Sequence, residues 1–388
     1  MNKNSIENFI MSEFCGFLNI VQGNSDSIIR DMAGRLPVSS PVDRFSGGES
    51  DGVSLTIAFQ YENESVWINR ETGKFCIVCG RIYNISQLRE ELKLAVGLST
   101  PEIVAQSVVN NGWRHTLRYL DGEFSLFYCD RKQLLLSLDR FGGRPLYYST
   151  PGGGGIVFGT GLAAVKACPA CDCSIDPLAL NLYLHLVAVP APYTIYTGCR
   201  KLAGGEVLLY DFASRSIRTE YYWDISEDLL GGQCSLPYEE VQEQFYSVLQ
   251  KAVQERVTNT TGVLLSGGYD SSGITALLHR AGKRVNTYTV DFQGYEFNEA
   301  KIAAEISKYL QMEHHSVVCG VRDVRVILEK MPEYYEEPFA DTAAIPTMFL
   351  ARQAGRNKVP VLLAGDGGDE SLGGVCRLFC SGETPEIF

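Results

Sequence analysis

The stretch between Thr261 and Leu278, TGVLLSGGYDSSGITALL, constrains the fold of this chain more than any other. Three apolar residues, Val263 to Leu265, predict a buried strand, and Ile274 to Leu278 predict a helix. The strand passes into the helix through a turn that carries two glycines, three serines and an aspartate. A strand that enters a helix in this way is typical of a parallel sheet covered by helices.

The second half of the chain repeats this alternation. A helical period begins at Tyr238 and places Val241, Phe245, Val248 and later apolar residues on one face. Further on, the strand-like run VNTYTVDF is followed by the helix-like run NEAKIAAEISKYL, and a last strand-like run, VPVLLAG, comes near the end. We therefore predict an α/β parallel-sheet domain for the second half of the chain.

The first half has a different pattern, because short β-like runs follow one another with turn residues between them. These runs are VSLTIAF, FCIVCG, FSLFYC, QLLLSL, PLYYST, GIVFGT and EVLLYDF. Many short strands with few helical stretches favour layered sheets in an α+β domain. The run ISEDLLGGQCSLPYEE reads as a linker, so the chain is expected to divide near residue 225.

Composition narrows the classes of partner. A net charge of −12 and the lack of a Lys/Arg block argue against nucleic acid as the main partner. No segment has an apolar run long enough to span a membrane. The N-terminus also lacks the long apolar run that is typical of a signal peptide. The expectation is a cytoplasmic protein with no membrane partner, whose oligomeric state the sequence leaves open.

The 12 cysteines are interpreted mainly as reduced thiols. Cys76 and Cys79 lie in a strand-like run, where an offset of three places their sulfurs on opposite faces. Cys168, Cys171 and Cys173, in CPACDC, lie in a loop and could chelate a metal ion. No second Cys/His pair at zinc-like spacing follows them, so unligated loop thiols are the favoured interpretation.

The turn after the Val263–Leu265 strand has the chemistry of a phosphate site. Gly267 and Gly268 allow a tight turn with bare N–H groups, and the following helix N-terminus favours an anion. Serine hydroxyls add further donors, at positions 266, 271 and 272. Asp270 would repel a phosphate unless Mg²⁺ bridged the two, so its presence points to a metal ion. No Walker A lysine follows, which favours bound pyrophosphate over a transferring γ-phosphoryl group. The alternative is a glycine turn with ordinary Ser/Asp helix caps.

A second glycine turn follows the strand-like run VPVLLAG. This turn reads Gly365-Asp366-Gly367-Gly368-Asp369-Glu370. Parallel strands would bring both turns to the same edge of the sheet, with Asp270 and Asp369 facing each other. The pair of turns predicts a site for Mg²⁺ and a polyphosphate.

These motifs resemble the asparagine synthetase family, whose synthetase domain carries Ser-Gly-Gly-x-Asp-Ser and Gly-Asp/Glu-Gly-x-Asp-Glu. The resemblance extends through YLDGEFSLFYCDRKQLLLSLDRFGGRPLYY, LVAVPAPYTIYTGCRKLAGGEVLLYD and EEPFADTAAIPTMFLAR, and so covers most of the chain. It implies an N-terminal-nucleophile-like, glutaminase-like domain at 1–222, a linker at 223–237, and an ATP-pyrophosphatase-type synthetase domain at 238–388. The implied activity is an AMP-forming carbon–nitrogen ligase that uses ATP and Mg²⁺ and activates a substrate carboxylate for attack by an amine.

The resemblance also implies roles for individual residues. Leu265 and Val290 should line the adenine and ribose pocket, and Asp270 and Asp369 should bind Mg²⁺. Asp366 takes the place of a family carboxylate near the reacting centre and is the first catalytic candidate. The remaining residues expected to hold nucleotide or pyrophosphate are Ser266, Gly267, Gly268, Ser271, Ser272, Ala364 and Gly365. Glu337 and Asp341 are weaker catalytic candidates, since Pro338 and Phe339 between them suggest a largely structural segment.

The glutaminase-like domain departs from the family pattern. Glutamine-dependent members begin with a cysteine whose own α-amine serves as base, whereas here CGFLNI starts at Cys15, behind fourteen residues. The family's Asn-Gly-Glu segment reads Cys79-Gly80-Arg81, so the oxyanion-binding amide and the amine-holding carboxylate are both replaced. Cys15 and Gly80 are therefore expected to be remnants of an inactive glutaminase.

Three functions remain open from the sequence. The first is an amide synthetase that uses an amine already present in a small-molecule or peptide substrate, as β-lactam synthetases and lasso-peptide cyclases do; a precursor peptide is then one candidate partner. The second is a glutamine-hydrolysing asparagine synthetase activated by processing to Cys15, and the third is a non-catalytic nucleotide-binding remnant. The family continues past GDGGDE, whereas this sequence ends at VCRLFCSGETPEIF, so a synthetase domain truncated at its C-terminus is expected.

Overall fold

The computed structural model describes residues 13–19, 24–36, 43–47, 55–60, 65–229, 235–294 and 298–372. The chain forms two compact units. The N-terminal unit runs from Glu7 to Gln233 and includes Met331–Asp341, and the C-terminal unit comprises Cys234–Lys330 and the residues from Thr342 onward. None of the described helices is both long and apolar enough to cross a membrane.

The N-terminal unit contains twelve strands and seven helices among its described residues. The strands are β1 (Glu13–Leu18), β2 (Asp43–Gly47), β3 (Leu55–Gln60), β4 (Val66–Asn69), β5 (Lys74–Ile82), β6 (Gly122–Cys129), β7 (Gln133–Leu138), β8 (Tyr147–Ser149), β9 (Ile156–Gly159), β10 (Arg200–Lys201), β11 (Glu206–Asp211) and β12 (Ser216–Tyr221). The helices are α1 (Ser25–Ala33), α2 (Ile85–Glu91), α3 (Thr100–Asn111), α4 (Trp113–Tyr119), α5 (Leu162–Lys166), α6 (Pro177–Leu186) and α7 (Ile225–Leu229).

These strands form two six-stranded antiparallel sheets. One has the order β10-β8-β9-β1-β3-β2 and the other β12-β11-β7-β6-β5-β4. A buried cluster of apolar side chains from both sheets, including Phe14, Phe75, Phe127 and Phe158, forms the core between the layers. The predicted layered-sheet class is therefore confirmed for this unit.

Strand β5 shows how the period-two pattern builds these layers. Cys76 packs in the cluster that contains helix α3, whereas Cys79 packs in the inter-sheet cluster. The two thiols therefore lie on opposite faces of the strand, as their spacing predicts. Helices α1 to α6 were not predicted as elements, because short β-like runs dominate the pattern of this half.

The C-terminal unit contains a four-stranded sheet with helices between its strands. Its elements are α8 (Tyr238–Arg256), β13 (Thr261–Leu264), α9 (Tyr269–Arg280), β14 (Asn286–Asp291), α10 (Ala300–Tyr309), β15 (Glu313–Val318), α11 (Val321–Tyr335), α12 (Ala344–Arg356), β16 (Val361–Leu363) and α13 (Gly368–Leu372). The end of α11, from residue 331 onward, belongs to the N-terminal unit. The strand order is β15-β14-β13-β16, and each neighbouring pair is parallel. The predicted α/β parallel sheet is confirmed.

Helix α8 is the element whose packing differs most from its sequence pattern. Val253 is buried, but Val241, Phe245 and Val248 are exposed, with Val248 at 68%. The apolar stripe of the helix is therefore covered only toward its C-terminal end within this unit. Amphipathic periodicity identifies the helix but does not fix how much of its face the unit covers.

Candidate active site at the edge of the parallel sheet

Strands β13 and β16 are direct neighbours in the parallel sheet. Val263 pairs with Leu363, and Gly262 pairs with Leu362. Since the two strands run in the same direction, the turns that follow them leave the sheet at the same edge. The predicted juxtaposition of the SGGYDSS and GDGGDE segments is thus present.

The two turns touch through Asp270. A Cβ atom on Gly368 would lie 2.5 Å from Asp270 Cγ and 2.6 Å from Oδ2, so the carboxylate rests directly on the glycine backbone. A Cβ atom on Gly365 would lie 2.7 Å from Asp270 Cβ and 2.9 Å from the Ser271 amide nitrogen. Only glycine fits at both positions, because the Cβ atom of any other residue would displace Asp270. Gly368 was not among the predicted site residues, although the repeated glycine in GDGGDE is the signal that could have identified it.

Hydroxyl groups hold the first turn in shape. Ser266 Oγ lies 3.0 Å from Ser271 Oγ, and the Ser266 amide donates to Ser271 Oγ at 3.2 Å. The Gly268 amide donates to Ser266 Oγ at 3.2 Å. Two of the three predicted phosphate-binding serines therefore make internal hydrogen bonds that fix the backbone of the loop.

The start of α9 has the features of an anion site. Gly268 is the N-cap residue and provides no side-chain cap, which leaves first-turn N–H groups for a ligand. The Ser272 hydroxyl is buried and has no hydrogen-bond partner among the described residues. Gly267 has φ +93°, a left-handed conformation that glycine adopts without strain, and a Cβ there would lie 3.1 Å from Ile302. A phosphate oxygen would satisfy the Ser272 hydroxyl, so these residues fit a polyphosphate.

Leu265 and Val290 lie on neighbouring parts of the sheet edge. The Leu265 amide donates to Tyr288 O at 2.9 Å, and its carbonyl accepts from the Thr289 hydroxyl. Leu265 is 1% exposed and Val290 is also buried. The side chains of Leu265 and Val290 are thus buried beneath the edge of the sheet where β13 and β14 end. Their contact with a nucleoside stays a prediction.

The second turn presents its acidic groups to solvent. Asp366 and Asp369 are exposed, and Gly367 has φ +86° in the turn between them. The Gly368 amide closes the turn by donating to Gly365 O at 3.2 Å. No three His, Cys, Asp or Glu side chains in the described ranges are arranged to hold a metal ion. A Mg²⁺ bound by Asp270 and Asp369 would therefore need phosphate oxygens to complete its ligands.

Glu337 belongs to the N-terminal unit, whereas the predicted ATP-site residues belong to the C-terminal unit. Its carboxylate accepts from the Ile195 amide at 2.9 Å and forms an ion pair with Lys201 Nζ at 2.6 Å. The side chains of Lys201 and Glu337 are only 17% and 8% exposed. This partly buried ion pair anchors the Met331–Asp341 segment, and the catalytic role of Glu337 stays a prediction. Neither Lys201 nor Ile195 carries a sequence signal that links it to residue 337.

Cys15 lies in the middle of an interior strand of the N-terminal unit. It pairs with Ala58 on β3 and with Gly159 on β9, and it is 0% exposed. Its thiol belongs to a buried apolar cluster that includes Ile29 and Leu162, and burial raises its pKa well above the ordinary value. A thiol in this position is a poor nucleophile.

Neighbouring atoms also pack closely around the backbone of Gly80. Gly80 has φ +116°, and a Cβ there would meet Glu123 O and would lie 2.8 Å from Arg144 Nε. The Arg144 side chain thus lies against the glycine that the resemblance assigns to a glutaminase pocket. Sequence alone gave no reason to place Arg144 there, because the contact depends on the fold of β5 against a distant loop.

Together, the fold and the sheet-edge turns define a two-part chain, with a layered amidotransferase-type domain followed by an ATP-pyrophosphatase-type α/β domain. Comparison with protein families supports both parts. The family model described as asparagine synthase matches residues 244–381, and that described as a glutamine amidotransferase domain matches residues 64–223. The chain belongs to the asparagine synthetase family.

Curated relatives agree with this assignment. "Putative asparagine synthetase [glutamine-hydrolyzing] 2" of Methanocaldococcus jannaschii is 30% identical over 302 residues, covering 76% of this chain and 58% of the relative. "Asparagine synthetase [glutamine-hydrolyzing] 1" of Bacillus subtilis is 29% identical, covering 81% of this chain and 48% of the relative. The chain thus spans about half the length of the curated relatives it matches.

Solved structures include remote matches to this chain. The glutamine phosphoribosylpyrophosphate amidotransferase from B. subtilis, complexed with ADP and GMP, aligns with a TM-score of 0.40 and 10% identity. That alignment covers 87% of this chain and 96% of the other. The likeness is too remote to inform the site.

Proposed function

We propose that the chain acts in ATP-dependent amide synthesis of the asparagine synthetase type, with ATP bound at the edge where β13 and β16 end. The observation that carries this proposal is the contact of Asp270 with Gly365 and Gly368. It joins two glycine turns, each following a parallel strand, into one surface with N–H donors and carboxylates. A single glycine turn with ordinary caps would not need a second turn packed against its aspartate.

The first turn would bind the pyrophosphate part of ATP. First-turn N–H groups of α9 and the buried Ser272 hydroxyl supply donors where charge develops as pyrophosphate leaves. Asp270 and Asp369 would hold Mg²⁺ on the phosphate oxygens, and the metal would neutralise part of that charge. Asp366 of the second turn, which is exposed, would meet the reacting groups.

The proposed reaction is AMP-forming. The substrate carboxylate attacks the α-phosphorus of ATP, the bond to pyrophosphate breaks, and an acyl-adenylate forms. An amine then attacks the acyl carbon, and AMP leaves as the amide is completed. The turns contribute by positioning ATP and by stabilising the leaving pyrophosphate.

We assign the amine to the substrate itself, so that the product is a lactam or macrolactam. The burial of Cys15 within β1 and the Arg144 side chain against Gly80 support this assignment over glutamine hydrolysis. A small molecule or a precursor peptide with a free carboxylate and an amine would be the substrate class. The domain limits at 1–222 and 238–388 remain part of this proposal.

Calorimetric titration with ATP in the presence of Mg²⁺ tests the proposal on the full chain. The wild-type protein should bind ATP. Asp270→Asn should weaken ATP binding by at least about tenfold, because the variant loses one charge-assisted contact to Mg²⁺–ATP. Asp323→Asn is the matched control, because Asp323 is an exposed carboxylate at the first turn of α11. Equal affinity of the Asp270→Asn and Asp323→Asn proteins would overturn the assignment of this edge.

A second measurement separates the amine sources. Release of glutamate from glutamine should not rise above background, whether or not ATP is present. If glutamine hydrolysis is found and is lost in Cys15→Ala, the substrate-borne amine is wrong and the glutaminase alternative is right.

A further inference from the structure

A group of cysteines in the N-terminal unit takes no part in the proposed function. Cys168, Cys171 and Cys173 follow helix α5 in the CPACDC segment. The fold adds Cys199, which comes from the segment before β10. Cys168 and Cys199 belong to one buried apolar cluster, and Cys171 packs against that cluster. The thiols of Cys168 and Cys199 both lie near enough to shift the pKa of Cys171.

Backbone hydrogen bonds fix the two segments that carry Cys171 and Cys199. The Gly198 amide donates to Asp172 O at 3.0 Å, and the Thr197 amide donates to Ser174 O at 2.9 Å. A Cβ on Gly198 would lie 2.7 Å from Asp172 N, so the two chains are in close backbone contact. Cys171 and Cys199 are the next residues on either side of this contact. The paired backbone therefore keeps the main chains of Cys171 and Cys199 near each other.

The remaining thiols do not complete a metal site. Cys173 Sγ points to the carbonyl oxygens of Lys166 and Cys171, at 3.8 and 3.5 Å. Within the described ranges no three potential ligand side chains are arranged around a common centre. The cysteines of this group are free thiols, with Cys199 buried and Cys171 partly exposed. Neighbouring thiols of which one is accessible and one is buried suit disulfide formation better than metal binding.

We propose that Cys171 and Cys199 form a reversible disulfide, which makes this turn a site of oxidative modification. The oxidant is a low-molecular-weight disulfide such as oxidised glutathione. The Cys171 thiolate attacks one sulfur of that disulfide, and one small thiolate leaves and takes up a proton. The Cys199 thiolate then attacks the Cys171 sulfur and releases the second small thiol. Two protein thiols are oxidised and one small disulfide is reduced to two thiols.

The disulfide would bind together the two segments that hold Glu336 and Glu337. Helix α5 begins with the Leu162 amide that donates to Glu336 Oε2 at 2.5 Å and leads into the cysteine turn. The segment that ends in Cys199 begins with the Ile195 amide that donates to Glu337. Contact with Cys168 lowers the pKa of Cys171, but Cys199 and burial raise it to about 12, so exchange at neutral pH is slow. The reduced state is thus expected to persist through short exposure to oxidant.

Peptide mapping after equilibration in glutathione redox buffers tests the proposal. The native full chain is held in buffers from fully reduced to fully oxidised, and is then acid-quenched, alkylated and digested. The expected product is a Cys171–Cys199 cross-linked peptide that disappears on reduction. The oxidised protein should melt about 5–10 °C above the reduced protein, because the cross-link closes a loop between distant residues.

Matched variants decide the assignment. Cys199→Ser should abolish both the cross-link and the shift in Tm, whereas Cys173→Ser, a substitution in the same turn, should retain both. A Cys168–Cys171 cross-link in the native wild-type protein would overturn the pairing. A cross-link that forms only in urea, or none in oxidised glutathione alone, would overturn the site itself. Far-UV circular dichroism of each variant shows that it is folded, and none of these outcomes depends on ATP binding.

Discussion

Replacement of Gly368 by alanine tests the contact between the two turns most directly. The new Cβ would lie 2.5 Å from Asp270 Cγ and 2.6 Å from Oδ2, too close for either atom to stay in place. Overpacking of this kind costs about 1–3 kcal/mol. If Asp270 moves away to relieve the overlap, ATP binding must bring it back against the new methyl group. The same free energy is then lost from ATP binding, which corresponds to roughly 5- to 150-fold weaker affinity.

Gly273→Ala is the matched control. Gly273 lies in α9, and a Cβ there would meet no heavy atom within 4 Å. Alanine is the better helix former, so this variant should gain up to about 1 kcal/mol in stability and should bind ATP as the wild type does. The comparison separates the effect of an added methyl group at a glycine from the effect of its collision with Asp270.

Calorimetric ATP titration and urea unfolding of all three proteins supply the readouts. The reasoning is refuted if Gly368→Ala binds ATP within twofold of Gly273→Ala while it remains folded. If Gly368→Ala unfolds at much lower urea, Asp270→Asn replaces it, since that change keeps the shape of the side chain and removes only its charge.

Three further predictions concern the N-terminal unit. Lys201→Met should destabilise this unit by about 3–5 kcal/mol in urea unfolding, because the nearly buried carboxylate of Glu337 would lose its partner charge. The double variant Lys201→Met/Glu337→Gln should recover much of this loss. If it does not, the ion pair is not the cause of the destabilisation. Burial raises the pKa of Glu13 above its ordinary value of 4.5, so the folded state binds this proton more tightly than the unfolded state does. The contribution of this carboxyl to stability therefore falls as pH rises above 4.5. Glu13→Gln should flatten the decline in urea midpoint above pH 4.5, and a slope identical to that of the wild type would contradict the assignment. Iodoacetamide should leave Cys15 unmodified in the native protein and alkylate it in urea, as mass mapping would show; rapid native labelling would mean that β1 is open.

Much of the C-terminal unit could be predicted from its sequence. Short apolar runs that end in glycine turns indicate parallel strands, because both faces of such strands are covered. The order β15-β14-β13-β16 then places the two turns side by side, as expected for Asp270 and the GDGGDE segment. The burial of α8 was harder to predict, since Phe245 and Val248 fit the apolar period but are exposed. Periodicity records which residues can be buried and not what lies against them.

The N-terminal unit shows a different limit. Its strands with alternating or continuous apolar residues were found, such as β7 at Gln133–Leu138, whereas the polar edge strand β12 (SIRTEY) was missed. An edge strand has one exposed side and needs little apolar surface. The ion pair between Lys201 and Glu337 could not be predicted, because it joins residues that are distant in the sequence and match no shared motif. Contacts of this kind follow from the folded backbone.

The pairing of β13 with β16 also affects the order in which the proposed site can form. Thr261 pairs with Val361, and the helices and strands between them must be in place before that edge closes. Contacts between residues so far apart in the chain form late, because loop closure is unfavourable until other packing supports it. On a ribosome, the SGGYDSS turn would therefore emerge well before the chain could bind ATP. A nucleotide that binds only the closed edge would then hold β16 in place and stabilise the last step of folding.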